Sequence, residues 1–207
     1  RQLDAMSAQL TRISGRAKFV APDAIVVHVA GSEAKNRRIE AERFLIAVGS
    51  KPRVPPGIAV DGVRVLTSDS IERVPALPER LAIVGAGVVG CEYATIFAHL
   101  AQTRVELFDR QPRILPFEDE DVSAVVAARF AEIGVHIHRK ARLETCVADE
   151  SGVELTWKDE HDQLQRARYD RVLVATGRAP ATTELGLDAA NVKLDKGGGI
   201  VFTDTRT

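Results

Sequence analysis

The chain has 207 residues, 45% of them hydrophobic, 28% charged and 5% aromatic, with 28 Lys and Arg against 29 Asp and Glu. That composition excludes disordered and collagen-like classes and allows one large domain or two small ones around a sizeable core. A formal net charge of −1 with both signs interspersed gives no long-range field for gathering nucleic acid or anionic lipid, so neither is expected as a partner. No apolar run approaches the roughly 18–20 residues that cross a bilayer, and the N-terminal RQLDAMSAQL has neither an initiator Met nor a hydrophobic leader. The expected location is cytoplasmic, and the chain reads as starting part-way through something larger.

Residues 1–10 read as the end of a helix. Three strand-like runs follow, Arg12 to Val20, Ala24 to Ala30 and Arg37 to Val48, with turn-forming Pro22-Asp23 and Gly31-Ser32 between them. An antiparallel three-stranded meander is the economical arrangement. The end of the third run, Arg43 to Val48, is nearly all apolar and stops at Gly49-Ser50, which predicts a strand buried on both faces. Pro52, Pro55 and Pro56 then make an extended connector, since each fixes φ and lacks a donor.

A second Pro-bearing stretch, Val74 to Arg80, precedes a change of pattern and marks a domain boundary. From Leu81 the order is apolar strand, Gly-rich turn, helix (about 88–101), strand (Arg104 to Phe108), helix (about 119–133) and strand (Val135 to His138). This predicts an α/β fold: a Rossmann-like βαβαβ unit with a parallel sheet and helices on its faces. Residues 141–174 alternate as short strands and close at Ala175-Thr176-Gly177.

Gly85-Ala86-Gly87-Val88-Val89-Gly90 is a GxGxxG turn between a strand and a helix. The first glycine permits the tight turn, Gly87 lets backbone approach a pyrophosphate, and Gly90 lets helix pack on strand. The helix N-terminus adds free N–H groups and a partial positive charge. Asp109 lies nineteen residues after Gly90 and ends the second strand, where a carboxylate can accept hydrogen bonds from an adenosine ribose. It suits the 2′-OH of NAD and opposes the 2′-phosphate of NADP unless a cation intervenes. Arg110 and Arg113 are near enough in sequence to be that cation, and equally read as solvated arginines of a loop. NAD is therefore favoured, with NADP tolerated.

Cys91 and Cys146 fit neither a CxxC pair nor a zinc site, and the five histidines are scattered, so no metal is expected. Cys91, in an apolar helical pattern, reads as a buried inert thiol. Glu92 reads as lying in the first turn of the nucleotide helix, where the helix dipole alone accounts for a carboxylate.

On Gly85 to Phe97, with Gly15-Arg16-Ala17-Lys18-Phe19, Ala47 to Pro52, Ala175 to Arg178 and Leu185-Gly186-Leu187, the chain resembles the FAD-dependent pyridine nucleotide-disulfide oxidoreductases. Within that family its nucleotide helix is most similar to that of the soluble pyridine nucleotide transhydrogenases, and dihydrolipoamide dehydrogenase or a related disulfide reductase is the alternative. The resemblance implies that 1–74 and 195–207 are pieces of a flavin domain around a nucleotide domain at 75–194. It implies FAD against Val48, Gly49, Ser50 and the backbone near Ala17, where the family's usual glycine is replaced. Gly177 would lie near the nicotinamide, and Glu92 would have a role beside nicotinamide and flavin. It further implies hydride transfer between nicotinamide nucleotides through FAD, and a homodimer formed through a C-terminal domain outside these residues. The 207 residues alone are expected to be inactive. A nucleotide-sensing module without chemistry is the rival from another class, and it leaves the meander and the Ala47 to Ser50 segment unexplained.

Overall fold

The computed structural model describes residues 10–29, 36–100 and 103–202. In chain order it contains β1 (Arg16–Ala21), β2 (Ala24–His28), β3 (Arg37–Glu40), β4 (Ser50–Pro52), β5 (Val65–Thr67) and β6 (Arg80–Val84). Then come helix α1 (Val88–Leu100), β7 (Arg104–Phe108), α2 (Glu120–Glu132), β8 (His136–His138) and β9 (Arg142–Asp149). The series ends with β10 (Gly152–Lys158), β11 (Leu164–Tyr169), β12 (Arg171–Val174) and β13 (Arg178–Pro180). The helix expected over the first ten residues, the turn at Gly31-Ser32 and the end of the chain from Thr203 lie outside the described residues, Leu10 excepted.

The chain divides into two compact units, residues 1–51 with 179–207, and residues 52–178. In the first, β1, β2 and β3 form the expected antiparallel meander, with Ala17 opposite Val27 and Ile25 opposite Ile39. Phe19, Ala24, Val27 and Leu187 are buried there, and the Phe19 N–H donates to the Leu185 carbonyl at 2.7 Å.

The apolar run 43–48 departs from expectation. The ladder of β3 ends at Glu40, and residues 41–49 form no strand. Leu45 is 94% exposed and Val48 is exposed as well. An extended segment becomes a buried strand only where a neighbouring edge takes up its N–H and C=O groups. Among the described residues no strand pairs with 43–48.

In the second unit β5, β12, β6, β7 and β8 make a parallel five-stranded sheet in that spatial order. By packing, Pro52 to Val74 goes with this unit, because Val65–Thr67 hydrogen-bonds in parallel with Val172–Val174. Side chains alternate between the two faces with period two. Leu81, Ile83, Leu107 and Leu173 pack against Cys91, Ala94 and Phe97 of α1 and Phe130 of α2. Ala82, Val84, Phe108, Val172 and Val174 pack against Val153, Leu155 and Trp157. The helices therefore share one face, and the antiparallel sheet β9–β10–β11 covers the other, where the sequence pattern suggested helices on both. The physical reason is in β10: its alternating buried residues supply an apolar surface that closes the second face. No helix among the described residues is long and apolar enough to cross a membrane.

Candidate functional site

The turn after β6 is built as its glycines demand. Gly85 has φ +106°, its N–H donates to the Phe108 carbonyl at 2.8 Å, and a Cβ there would lie 2.5 Å from the Ala175 oxygen. At Gly90 a Cβ would lie 1.9 Å from the Gly85 oxygen, so the helix can approach the turn only without a side chain. Gly87 is different: a Cβ would meet nothing within 4 Å. It borders open space, where a pyrophosphate can approach the backbone. The first intrahelical bond is from the Cys91 N–H to the Gly87 oxygen at 3.0 Å. The N–H groups of Val88, Val89 and Gly90 precede it and complete an anion-favouring helix start.

These residues open onto a cleft of about 830 Å³. Its wall includes Gly85, Gly87, Val88, Val89, Asp109, Arg110 and Gly177, together with Phe108, the connector residues Pro55 to Ile58, and Leu143 to Cys146 of β9. The two signals read from the sequence, glycine turn and acidic strand end, thus meet on one cavity. Asp109 accepts the Ala86 N–H through Oδ2 at 2.6 Å and the Gln111 N–H through Oδ1 at 2.8 Å. Gly177 has φ +102°, and its oxygen accepts the Arg53 N–H at 2.9 Å, which ties the proline connector to the end of β12.

Arg110 is exposed at the cleft, but the Arg113 guanidinium donates to the carbonyls of Glu118 at 2.8 Å, Pro116 at 3.1 Å and Leu115 at 3.3 Å. It braces its own loop. Glu92 is the fifth residue of α1 and exposed, just past the first turn in which the sequence reading put it, and that first turn carries no acid. The dipole argument for it therefore fails, because that effect fades beyond the first turn. Ala17, Val48, Gly49 and Ser50 are exposed in the first unit, with Gly49 at φ +68° and its oxygen accepting the Ala181 N–H at 3.0 Å.

Behind the cleft lies a polar cluster that sequence reasoning missed. Glu106 accepts hydrogen bonds from the Tyr169 hydroxyl at 2.7 Å and from Arg80 at 3.1 Å, and pairs with His138 Nε2 at 2.8 Å. His138, Tyr169 and Arg80 hold its carboxyl down to about 2 against the opposing effect of burial. The imidazole of His138 stacks on Phe108 with ring centroids 4.3 Å apart, and the Phe108 ring is itself part of the cleft wall. Burial, and then the charge of Asp109, push the Cys91 thiol up to about 12. Burial likewise pushes Cys146 up to about 11, so neither thiol is poised as a nucleophile. Among the described residues no group of His, Cys, Asp and Glu is arranged to hold a metal ion.

The model of the family described as pyridine nucleotide-disulphide oxidoreductase matches residues 1–207. The chain belongs to that family. The chain is 34% identical over 190 residues to a dihydrolipoyl dehydrogenase of Bacillus subtilis, covering 92% of the chain and 40% of that protein. It is 33% identical over 193 residues to a mercuric reductase of Lysinibacillus sphaericus, covering 93% and 34%. Among solved structures it is similar to the HOCl-induced flavoprotein disulfide reductase RclA of Escherichia coli. That match has a TM-score of 0.76 and 28% identity and covers 91% of this chain and 41% of that one. The chain thus spans between about a third and two fifths of the length of these relatives.

Proposed function

We propose that this chain is the nicotinamide-nucleotide-binding portion of a flavoprotein oxidoreductase that moves hydride between NAD(H) and FAD. The observation that carries the reading is the convergence on one cleft of an unobstructed Gly87 backbone, a helix start and the Asp109 carboxylate. Pyrophosphate would lie at the backbone of Gly87, Val88 and Val89, the adenosine ribose at Asp109, and the nicotinamide half toward Gly177. Asp109 favours NAD, and Arg110 is the cation available to a 2′-phosphate. In the other unit, the exposed backbone at Val48, Gly49 and Ser50 and near Ala17 supports an FAD contact there. The hydride chemistry belongs to the two cofactors, while this chain's residues bind and orient.

For the second substrate, the likeness of Gly85 to Phe97 to the transhydrogenases supports hydride transfer to the other nicotinamide nucleotide. The dihydrolipoyl dehydrogenase names among the relatives support a dithiol instead. A direct comparison separates them. The purified flavoprotein is assayed for reduction of thio-NAD by NADPH and for reduction of NAD by dihydrolipoamide. Turnover in the first assay alone supports the transhydrogenase reading, turnover in the second alone the dithiol reading, and failure to bind NADH at all sinks both.

A further inference from the structure

The peptide groups of Ala86 are fastened on both sides by the segment that follows β7. The Ala86 N–H donates to Asp109 Oδ2 at 2.6 Å, and its oxygen accepts the Leu115 N–H at 2.7 Å. Ala86 is fully buried, so water offers its N–H no substitute. Asp109 is itself held by the neighbouring strand: its N–H donates to the His138 oxygen at 3.0 Å, and its own oxygen accepts the Ala141 N–H at 2.8 Å. Its second carboxylate oxygen takes the Gln111 N–H. The side chain is thereby fixed in plane and rotation before any ligand arrives. Each carboxylate oxygen has two acceptor directions, so holding backbone leaves directions free toward the cleft.

We propose that Asp109 is a positioning residue for the glycine turn as well as the ribose acceptor: by holding the Ala86 N–H it sets the orientation of the backbone that receives the pyrophosphate. The Ala86 N–H points to Asp109 and does not serve the ligand, and the ligand-facing donors are those that follow it. The proposal rests on the reading that this cleft binds a nicotinamide dinucleotide.

An NAD analogue whose adenosine ribose lacks both hydroxyls separates the two roles, because Asp109 cannot contact its ribose. Dissociation constants for NAD and the analogue are measured with purified wild type, Asp109→Ala and Asp109→Asn. Asp109→Ala binds the analogue roughly ten-fold more weakly than wild type does, the size expected for a lost charge-assisted hydrogen bond. Asp109→Asn keeps an acceptor for the buried Ala86 N–H, sets its NH2 against the exposed Gln111 N–H, which turns to water, and recovers most of that loss. In the nucleotide-free protein, amide hydrogen exchange over 81–90 is faster in Asp109→Ala and unchanged in Asp109→Asn, while exchange over 152–158 is the same in all three. Equal affinity of wild type and Asp109→Ala for the analogue overturns the positioning role. Wild type binding NAD and the analogue equally well overturns the ribose reading alone. If Asp109→Ala cannot be purified, Asp109→Asn decides: it must bind the analogue within about three-fold of wild type, and a loss of roughly ten-fold or more refutes the proposal.

Discussion

A methyl group added at Gly90 and one added at Gly87 should have opposite consequences. On helix propensity alone Gly90→Ala would stabilise α1 by about 1 kcal/mol. The structure reverses that sign: the new Cβ would stand 1.9 Å from the Gly85 oxygen and 3.0 Å from the Gly85 carbonyl carbon, both rigid backbone. Relief requires α1 to move off the sheet or the turn to open, and such overpacking costs roughly 1–3 kcal/mol. The expected net result is a melting temperature lower by up to about 8 °C, with weakened NADH binding because the turn itself is displaced. Gly87→Ala meets nothing within 4 Å and precedes the helix as its N-cap, so its stability should stay within about 1 kcal/mol of wild type. Its methyl group projects where the pyrophosphate would approach, so NADH affinity should fall by at least about ten-fold. Differential scanning fluorimetry and NADH titration by fluorescence measure both quantities on the same samples. The reasoning is refuted if Gly87→Ala binds NADH as wild type does, or if Gly90→Ala is the more stable of the two.

Glu106 gives a pH-dependent expectation. Its folded-state carboxyl is depressed from 4.5 to about 2, so the stabilisation it confers is complete above pH 4.5 and is lost as the pH falls toward 2. Urea midpoints of wild type and Glu106→Gln should differ most above pH 5 and converge in acid, and a constant gap would remove the cluster from acid unfolding. Arg113→Ala loses three bonds to carbonyls of its own loop and should lower stability by about 1–2 kcal/mol while weakening NADH and NADPH to the same degree; a loss confined to NADPH would make it a phosphate ligand. Arg110→Ala, by contrast, should weaken NADPH selectively, and unchanged NADPH affinity would return Arg110 to the solvent. Native Cys91 should resist iodoacetamide at pH 8, since burial holds its thiol near 12. Cys146 should react slowly and be shielded by NADH, because it lines the cleft; labelling followed by mass spectrometry reads both.

What was legible in the sequence is what local spacing encodes. The turn Gly85 to Gly90 and Asp109 are parts of one strand–turn–helix–strand unit, and strand β7 falls at the residues expected, Arg104–Phe108. The run 43–48 shows the limit of such reading, because apolar residues describe a capacity to be buried and the partner decides whether a strand forms. The Glu106 cluster was illegible for a different reason. Arg80, Glu106, His138 and Tyr169 come from four strands and meet only after the parallel sheet has aligned its register and β11 has been laid across it. Arg113 was legible as a cation but not as a brace, since its acceptors are backbone carbonyls that carry no residue-type signal.

The order of strands in the parallel sheet also governs when it can be finished. β12, contributed by residues 171–174, lies between β5 and β6, which end at Thr67 and begin at Arg80. A chain emerging from the ribosome can assemble β6, β7 and β8 with α1 as it appears. It cannot join β5 to them until the ninety residues 85–174 have followed β6, and until then β6 presents an unpaired edge. Closing such a distant connection is slow and exposes strand edges to wrong partners. The antiparallel β9–β10–β11 layer is synthesised in that interval, so the cover for one face of the sheet is complete before the strand that fills its gap arrives. A truncation before Arg171 would therefore leave the nucleotide cleft without Gly177 and the sheet with a missing strand in its interior, rather than a shortened but closed domain.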